Sequence, residues 1–206
     1  MKDKKNFKIS IIGLGYVGLP LLVEFSKKYN VNGFDLDSNR ISELKSKIDR
    51  TGEISKESLD LISVSSEVSS LEASKVFIVT VPTPVDNANI PNLTPLKSAC
   101  SMLAKYLRKD SYVIFESTVF PGCTEDVCVP ILEDISGLKL NKDFYCGYSP
   151  ERINPGDKIN TLTKILKITS GSNKKAAKFI DDLYSSIIEA GTFVADSIKV
   201  AEAAKV

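Results

Sequence analysis

The sequence predicts an α/β fold in which a mainly parallel sheet is covered by helices on both faces. Apolar runs of strand length alternate with segments of helical periodicity along the whole chain. A glycine-rich turn joins the first such pair, and polar motifs follow several of the strands. The 206 residues, 43% hydrophobic and 26% charged, suit one compact domain of this class.

Eight strands and five clear helices are predicted, in alternation. The strands are Lys8–Ile12, Val31–Phe34, Leu61–Ser63, Val76–Val81, Tyr112–Phe115, Phe144–Gly147, Lys167–Thr169 and Thr192–Val194. The helices are Val17–Tyr29, Ser38–Lys47, Pro95–Leu107, Cys123–Ile135 and Asn173–Ile188. Pro95 suits a first helical turn, and the Asp86–Asn92 segment is predicted to be a surface loop.

The first turn carries a dinucleotide-binding fingerprint. Gly13, Gly15 and Gly18 stand between the first strand and an apolar helix, and Asp35 ends the second strand. Gly13 permits a tight turn, Gly15 lets the backbone approach a pyrophosphate, and Gly18 lets the helix pack closely. The helix amides then face the anion. This setting predicts a Rossmann-like, doubly wound fold.

Composition excludes several classes of function. The net charge of +1 and the absence of a long basic run argue against a nucleic-acid partner. No apolar stretch approaches the roughly 20 residues of a membrane span, and no secretion signal is evident, so a cytoplasmic protein is expected.

The chain has four cysteines and no histidine. Their spacing fits no zinc site, so no metal is expected, and the cysteines are predicted to be reduced core residues. Acid–base chemistry in this chain must therefore use carboxylate, lysine, tyrosine or water.

Three predicted strands end in motifs that carry reactive side chains. These motifs are Pro82-Thr83-Pro84, Glu116-Ser117-Thr118 and the segment 149–157, which begins Ser149-Pro150-Glu151-Arg152. Because open α/β sheets bind ligands at the carboxyl edge of their strands, the three motifs are expected to share one site.

With these motifs in this order, the chain resembles the nucleotide-sugar 6-dehydrogenases of the UDP-glucose/GDP-mannose dehydrogenase superfamily. The resemblance runs through essentially the whole chain. Its markers are Gly13 to Gly18, Leu19-Pro20, Asp35, Val81-Pro82-Thr83-Pro84, Glu116-Ser117-Thr118, Ser149-Pro150-Glu151-Arg152 and Ala201-Glu202-Ala203-Ala204-Lys205. The segment 150–157 is most similar to the branch that acts on UDP-N-acetylhexosamines.

The resemblance implies a two-step oxidation of the sugar C6 alcohol to a carboxylate, with NAD as the oxidant and a cysteine thioester as intermediate. It implies an NAD-binding domain over residues 1–196 and the start of a central connecting helix over 197–206. It places the catalytic cysteine and the sugar domain beyond residue 206, so this chain alone is expected to be inactive. It also implies a homodimer or higher homo-oligomer for the full-length protein, and a role in capsule or surface polysaccharide synthesis.

Site roles follow from the same resemblance. Residues implied to bind the cofactor are Gly13, Gly15, Tyr16, Val17, Gly18, Asp35, Arg40, Thr83 and Thr118. Asp35 is implied to bind the adenosine ribose and to disfavour a 2′-phosphate, hence NAD over NADP. Residues implied to act on the UDP-sugar are Thr118, Glu151, Arg152 and Lys205, with Lys205 stabilising the oxyanion at C6.

Some roles remain open at this point. Arg40 either pairs with Asp35 or partly offsets repulsion of a 2′-phosphate. Arg152 pairs with a sugar carboxylate or with Glu151. The UDP-glucose branch has a second acid where this chain has Pro155. The hydrolytic base is therefore Glu151, Asp157 or a residue outside the chain.

Two other functions share the fingerprint. One is an NAD dehydrogenase of the hydroxyacid or 6-phosphogluconate type, which is expected to lack Pro150-Glu151-Arg152 and the 201–205 block. The other is a non-catalytic NAD-binding module. Both motifs are present here, which favours the nucleotide-sugar dehydrogenase.

Overall fold

A computed structural model of the chain describes residues 5–85, 90–153, 156–157 and 161–205. The strands in these ranges are β1 (Lys5–Ile12), β2 (Tyr29–Phe34), β3 (Ser63–Ser65), β4 (Ser74–Val79), β5 (Ser111–Phe115), β6 (Phe144–Tyr148), β7 (Lys167–Thr169) and β8 (Thr192–Val194). The helices are α1 (Gly18–Ser26), α2 (Ser38–Lys45), α3 (Lys56–Leu59), α4 (Thr94–Ala104), α5 (Val129–Ser136), α6 (Lys174–Ser185) and α7 (Ile198–Ala203).

The first six strands form one parallel sheet in the order β3-β2-β1-β4-β5-β6. The chain runs outward from β1 to β3, then returns to the other side of β1 and runs outward again. The order therefore reverses between β1 and β4. Such a switch point leaves a crevice at the carboxyl ends of the two strands, where open α/β sheets bind ligands.

The side chains of the central strands alternate between the two faces of the sheet. In β4, Val76 and Ile78 belong to one buried cluster, and Phe77 and Val79 belong to the other. Residues of α1, α2 and α6 complete the first cluster, while residues of α4, α5 and α7 complete the second. Both faces are thus covered, as the continuously apolar strands predict.

The predicted Rossmann-like, doubly wound fold is confirmed, but several boundaries differ. The helix predicted over Val17–Tyr29 ends at Ser26, and Tyr29 opens β2 instead. The Tyr29 ring packs edge-on against Phe25, and its hydroxyl donates to Ser186 Oγ at 3.0 Å. These tertiary contacts fix Tyr29 in the sheet in spite of the apolar helical spacing around it.

Other elements move by a few residues. The strand predicted at Leu61–Ser63 is found at Ser63–Ser65, where it pairs with the end of β2. The helix predicted from Cys123 opens with one π-helical turn, Thr124–Cys128, before α5 begins. In the predicted loop Asp86–Asn92, residues 86–89 lie outside the described ranges.

β7 and β8 form a separate two-stranded parallel sheet. It adjoins β6 through polar contacts rather than a regular ladder. The Ser149 hydroxyl donates to the Ile168 carbonyl at 2.6 Å, and the Ser172 amide donates to the Cys146 carbonyl at 2.8 Å. Among the described residues, no helix is long and apolar enough to cross a membrane.

Candidate functional site

The turn between β1 and α1 lies at the switch point. Gly13 has φ +96°, a conformation that side chains other than glycine rarely adopt, and its amide donates to the Phe34 carbonyl at 2.8 Å. A Cβ on Gly18 would overlap the Gly13 carbonyl oxygen and the Thr80 hydroxyl. Glycine is therefore required at the first position by backbone geometry and at the third by packing.

The second glycine stands in a different environment. A Cβ added to Gly15 would meet no atom within 4 Å. Gly15, half-exposed Tyr16 and Val17 line a cleft of about 490 Å³ that also reaches Thr83. The backbone at Gly15 is thus open to a group in the cleft, which is the access that a pyrophosphate needs.

Asp35 follows β2 at one wall of this cleft. Its Oδ2 atom accepts a hydrogen bond from the Leu14 amide at 2.7 Å, and its Oδ1 atom accepts one from the Asp37 amide at 2.9 Å. Each carboxylate oxygen keeps a further lone pair. The side chain is therefore held in place by the backbone and can still accept hydroxyl donors from a ribose.

Arg40 does not pair with Asp35, so that alternative was wrong. Its side chain is buried, its Nη2 atom donates to Asp49 Oδ1 at 2.8 Å, and its Nε atom donates to the Leu14 carbonyl at 2.9 Å. The Asp49 carboxylate is held in place for this ion pair by further hydrogen bonds, which include those from the Thr51 amide and hydroxyl. Sequence reasoning missed Asp49, although an aspartate side chain in a turn commonly accepts a hydrogen bond from the backbone two residues further on.

The Nη1 atom of Arg40 is buried and lies 3.9 Å from Glu43 Oε2, an ion-pair contact that is too long for a hydrogen bond. Arg40 also lines the cleft. The open backbone at Gly15 and the remaining lone pairs of Asp35 suit the pyrophosphate and the ribose of a dinucleotide. The residues present thus fit a dinucleotide.

A second cavity of about 600 Å³ lies on the other side of Asp35. Gly13, Asp35, Val81 and Pro82 line both cavities. The remaining wall is mostly apolar; its residues include Phe34, Leu36, Ala99 and Met102. A flat apolar ring joined to a ribose at Asp35 would suit this space.

The turns after β4 and β5 meet across the cleft. The Thr83 hydroxyl donates to the Thr118 carbonyl at 2.6 Å, and the Ser117 hydroxyl donates to the Val81 carbonyl at 2.6 Å. Thr83, Ser117 and Thr118 all line the cleft, and Thr118 is exposed. The predicted meeting of these two motifs is therefore observed.

Glu151 is placed differently from the cleft residues. It is buried, and its Oε1 atom accepts from the Arg152 and Ile153 amides at 2.6 and 2.9 Å. Its Oε2 atom accepts from Lys167 Nζ at 2.8 Å. Lys167 was missed by sequence reasoning, since a lone lysine at the start of a short strand is normally exposed.

Lys167 joins Glu151 to a second buried acid. Its Nζ atom lies 2.7 Å from Oε2 of Glu116, which lines the floor of the cleft. Burial raises the pKa of Glu116 above its ordinary value, although Lys167 opposes this shift. Burial acts to lower the pKa of Lys167, but the two carboxylates outweigh it and the pKa is raised.

The side chains of Lys205 and Arg152 both donate to backbone carbonyls close to Glu151 and Lys167. The Lys205 ammonium donates to the Glu151 carbonyl. The Arg152 guanidinium donates to the Leu166 carbonyl, so the predicted pairing of its side chain with the Glu151 carboxylate is not what the structure has. Pro155 lies outside the described residues, and Asp157 is half-buried.

The cysteines are buried free thiols, as predicted. Burial raises the pKa of the Cys146 thiol well above its ordinary value. A hydrogen bond with Cys128, together with burial, raises the pKa of Cys123. Raised pKa values keep these thiols protonated and unreactive, which fits a structural role.

Taken together, the switch-point cleft, the glycine turn and Asp35 define a Rossmann-type dinucleotide-binding domain. The chain belongs to the UDP-glucose/GDP-mannose dehydrogenase family, whose NAD binding domain matches residues 7–188. Its cofactor is accordingly NAD.

Relatives agree with this assignment. The chain is 54% identical, over 98% of its length, to a UDP-N-acetyl-D-glucosamine 6-dehydrogenase of Pseudomonas aeruginosa, of which it covers 49%. It is 48% identical, over 98% of its length, to Protein CapL of Staphylococcus aureus, of which it covers 48%. The structure of a UDP-D-ManNAc dehydrogenase from Pyrococcus horikoshii superposes with a TM-score of 0.88 at 34% identity, covering 96% of this chain and 49% of that one. The chain thus spans about half the length of the curated relatives it matches.

Proposed function

We propose that this chain is the cofactor domain of an NAD-dependent nucleotide-sugar 6-dehydrogenase that oxidises a UDP-N-acetylhexosamine at C6 to the uronic acid. The observation that carries this proposal is the 54% identity to a UDP-N-acetyl-D-glucosamine 6-dehydrogenase across 98% of the chain. NAD supplies the hydride acceptor for both oxidation steps.

The residues of this chain then have defined tasks. The amides from Gly15 to Gly18 are assigned to the pyrophosphate and Asp35 to the ribose hydroxyls, while Arg40 lines the same cleft. Thr83 and Thr118 are assigned to the nicotinamide side, an assignment supported by their hydrogen bond to each other at the lining of the cleft.

The sugar side is assigned to Thr118 and to the groups around Glu151, which Lys167 links to Glu116 at the cleft. Thr118 holds the reacting oxygen or a water, and Lys205 stabilises the negative charge that develops on the C6 oxygen. Glu151 and Arg152 position the substrate. The contact of Lys205 with the Glu151 carbonyl supports a shared location for these groups.

Among UDP-N-acetylhexosamines, we favour UDP-N-acetylglucosamine. Identity is 54% to the relative named for that sugar and 34% to the solved structure named for UDP-D-ManNAc. We further propose that the cofactor domain covers residues 1–196 and that α7 belongs to a connecting helix beginning at Ser197, the residue that caps α7.

We also propose that the full-length enzyme is a cytoplasmic homodimer or higher homo-oligomer that supplies uronic acids for surface polysaccharide. The four free buried thiols support a reducing compartment.

The deciding experiment is NADH formation by the full-length protein with UDP-N-acetylglucosamine, UDP-N-acetylgalactosamine, UDP-N-acetylmannosamine and UDP-glucose. We expect two NADH per molecule of the preferred sugar. The 206-residue chain should bind NAD but form no NADH with any of them. A full-length protein that binds NAD and oxidises none of the four sugars would contradict the proposal and favour a different NAD dehydrogenase or a non-catalytic module.

A further inference from the structure

Four buried groups from four separate parts of the fold form one hydrogen-bonded chain beneath the cleft. Tyr184 of α6 donates through its hydroxyl to Glu116, which follows β5. Lys167, the first residue of β7, donates to Glu116 at 2.7 Å and to Glu151, which follows β6, at 2.8 Å. We name this set the Lys167 cluster.

The three protons of the Lys167 ammonium all have acceptors within this cluster or beside it. Two go to the carboxylates, and the third is directed to the Pro150 carbonyl at 3.3 Å. The side chain of Lys167 is 4% exposed, and those of Glu116 and Glu151 are 0% and 6% exposed. One buried cation therefore serves two buried carboxylates.

Such an arrangement is not explained by stability alone. Burying three ionised groups costs more solvation energy than a surface pair does, and apolar residues of similar volume commonly replace buried ion pairs without loss. Two carboxylates on one nitrogen also repel each other, so loss of the ammonium must leave one of them protonated. The total charge of this carboxylate pair thus depends on Lys167.

Orientation depends on Lys167 as well. Glu151 lies in a turn without regular secondary structure, and its backbone carbonyl is the group that receives Lys205. Lys167 holds this turn at both the Glu151 carboxylate and the Pro150 carbonyl. A shift of that turn would move Glu151 and the resting place of Lys205 together.

We propose that Lys167 is a positioning residue for the oxidation, holding Glu151 in one orientation by sharing its ammonium between Glu151 and Glu116. Its effect on turnover rests on the proposed function, whereas its effect on the charge of the carboxylates does not. Titratable groups outside the cluster that face it include Tyr148 and Lys205.

The charge effect is tested in the 206-residue chain with Lys167→Met. At pH 8 the infrared spectrum of this variant should contain the carbonyl band of a protonated carboxyl group, and the band should vanish in the double variant Lys167→Met/Glu116→Gln. The matched control is Lys164→Met, which replaces an exposed lysine three positions earlier. Its infrared spectrum should be the same as that of the unmodified chain. A Lys167→Met spectrum without the band would overturn the proposed coupling.

The positioning effect is tested in the full-length protein by NADH formation. Lys167→Met should lower kcat roughly 10- to 100-fold with little change in KM for NAD, and should displace the pH profile. Lys167→Arg, which keeps the charge, should restore part of the activity and the original profile. A Lys167→Met enzyme with unchanged kcat and pH profile would overturn the positioning role.

If Lys167→Met fails to fold, the double variant with Glu116→Gln replaces it, because that protein buries one carboxylate fewer. It should still show the low kcat, since Glu151 has lost its ammonium, and normal turnover by it would contradict the inference. If the unmodified full-length protein forms no NADH, the proposed function fails, and the infrared result still decides whether Lys167 governs the charge of the two acids.

Discussion

The Arg40 guanidinium donates to the Asp49 carboxylate at 2.8 Å, both side chains are almost completely buried, and Arg40 lines the cofactor cleft. Asp49 also accepts from the Glu53 and Ile54 amides, each at 3.0 Å. One carboxylate therefore fixes the turn that follows α2 and, through Arg40, one side of the cleft.

This relationship predicts a stability change in acid. Burial acts to raise the pKa of Asp49, but hydrogen bonds from Thr51 and Arg40 outweigh it and hold the pKa below its ordinary value. A lowered folded-state pKa gives stability that is present above the unfolded pKa of about 3.9 and is lost as the pH falls through the folded value. Asp49→Asn should flatten the fall in the free energy of unfolding below about pH 4. The control is Asp60→Asn, whose carboxylate is exposed, and an identical acid profile for both variants would contradict the role of Asp49.

The fixed Asp35 carboxylate predicts the choice of cofactor. Calorimetric titration of the chain should show NAD binding at least about tenfold tighter than NADP, because a 2′-phosphate beside Asp35 meets a like charge. Asp35→Asn should weaken NAD binding and reduce the ratio of the NAD affinity to the NADP affinity. Asp60→Asn should leave the affinities for both cofactors unchanged. Equal affinities of the unmodified chain for the two cofactors would refute the ribose assignment.

The glycine turn offers a matched pair of variants that separates folding from binding. In Gly15→Ala the new methyl group meets open space, so the free energy of unfolding should stay within about 0.5 kcal/mol of the parent. NAD affinity should nevertheless fall at least about tenfold, since the methyl group occupies the approach to the pyrophosphate. In Gly18→Ala the methyl group overlaps backbone, and unfolding free energy should fall by about 3 kcal/mol. Urea unfolding and calorimetric titration distinguish the two, and a Gly15→Ala chain with parental NAD affinity would count against the cleft as the pyrophosphate site.

The contacts of Glu202 predict that the packing of α7 against the segment after β5 depends strongly on this one side chain. It is fully buried, and its carboxylate accepts from the Gly122 amide at 2.5 Å and the Thr124 amide at 2.9 Å. Glu202→Ala leaves both buried donors without an acceptor and should lower the free energy of unfolding by about 2 to 3 kcal/mol. Lys199→Ala, at an exposed position of the same helix, should change it by less than about 0.5 kcal/mol. Equal urea midpoints for the two variants would show that the Glu202 contacts do not hold α7.

Local sequence patterns predicted the fold well where the residues of the pattern themselves determine the local backbone structure. The glycine spacing and the position of Asp35 predicted the β1–α1 turn, because backbone conformation at Gly13 and close packing at Gly18 tolerate few other residues. Strand-end motifs predicted that Thr83 and Thr118 meet, because parallel strands bring their carboxyl ends to one edge.

The sequence by itself determined the doubly wound class, the cofactor turn and the family of this chain, since these depend on short-range periodicity and on motifs read in order. Only the tertiary structure decided which buried polar groups meet. Glu116 and Lys167 are 51 residues apart, and Gly122 and Glu202 are 80 residues apart. Nothing in the local pattern around Lys167 distinguishes a buried lysine from an exposed one. The difference arises because separate elements fold against each other and exclude water from its ammonium, which must then find its acceptors within the protein.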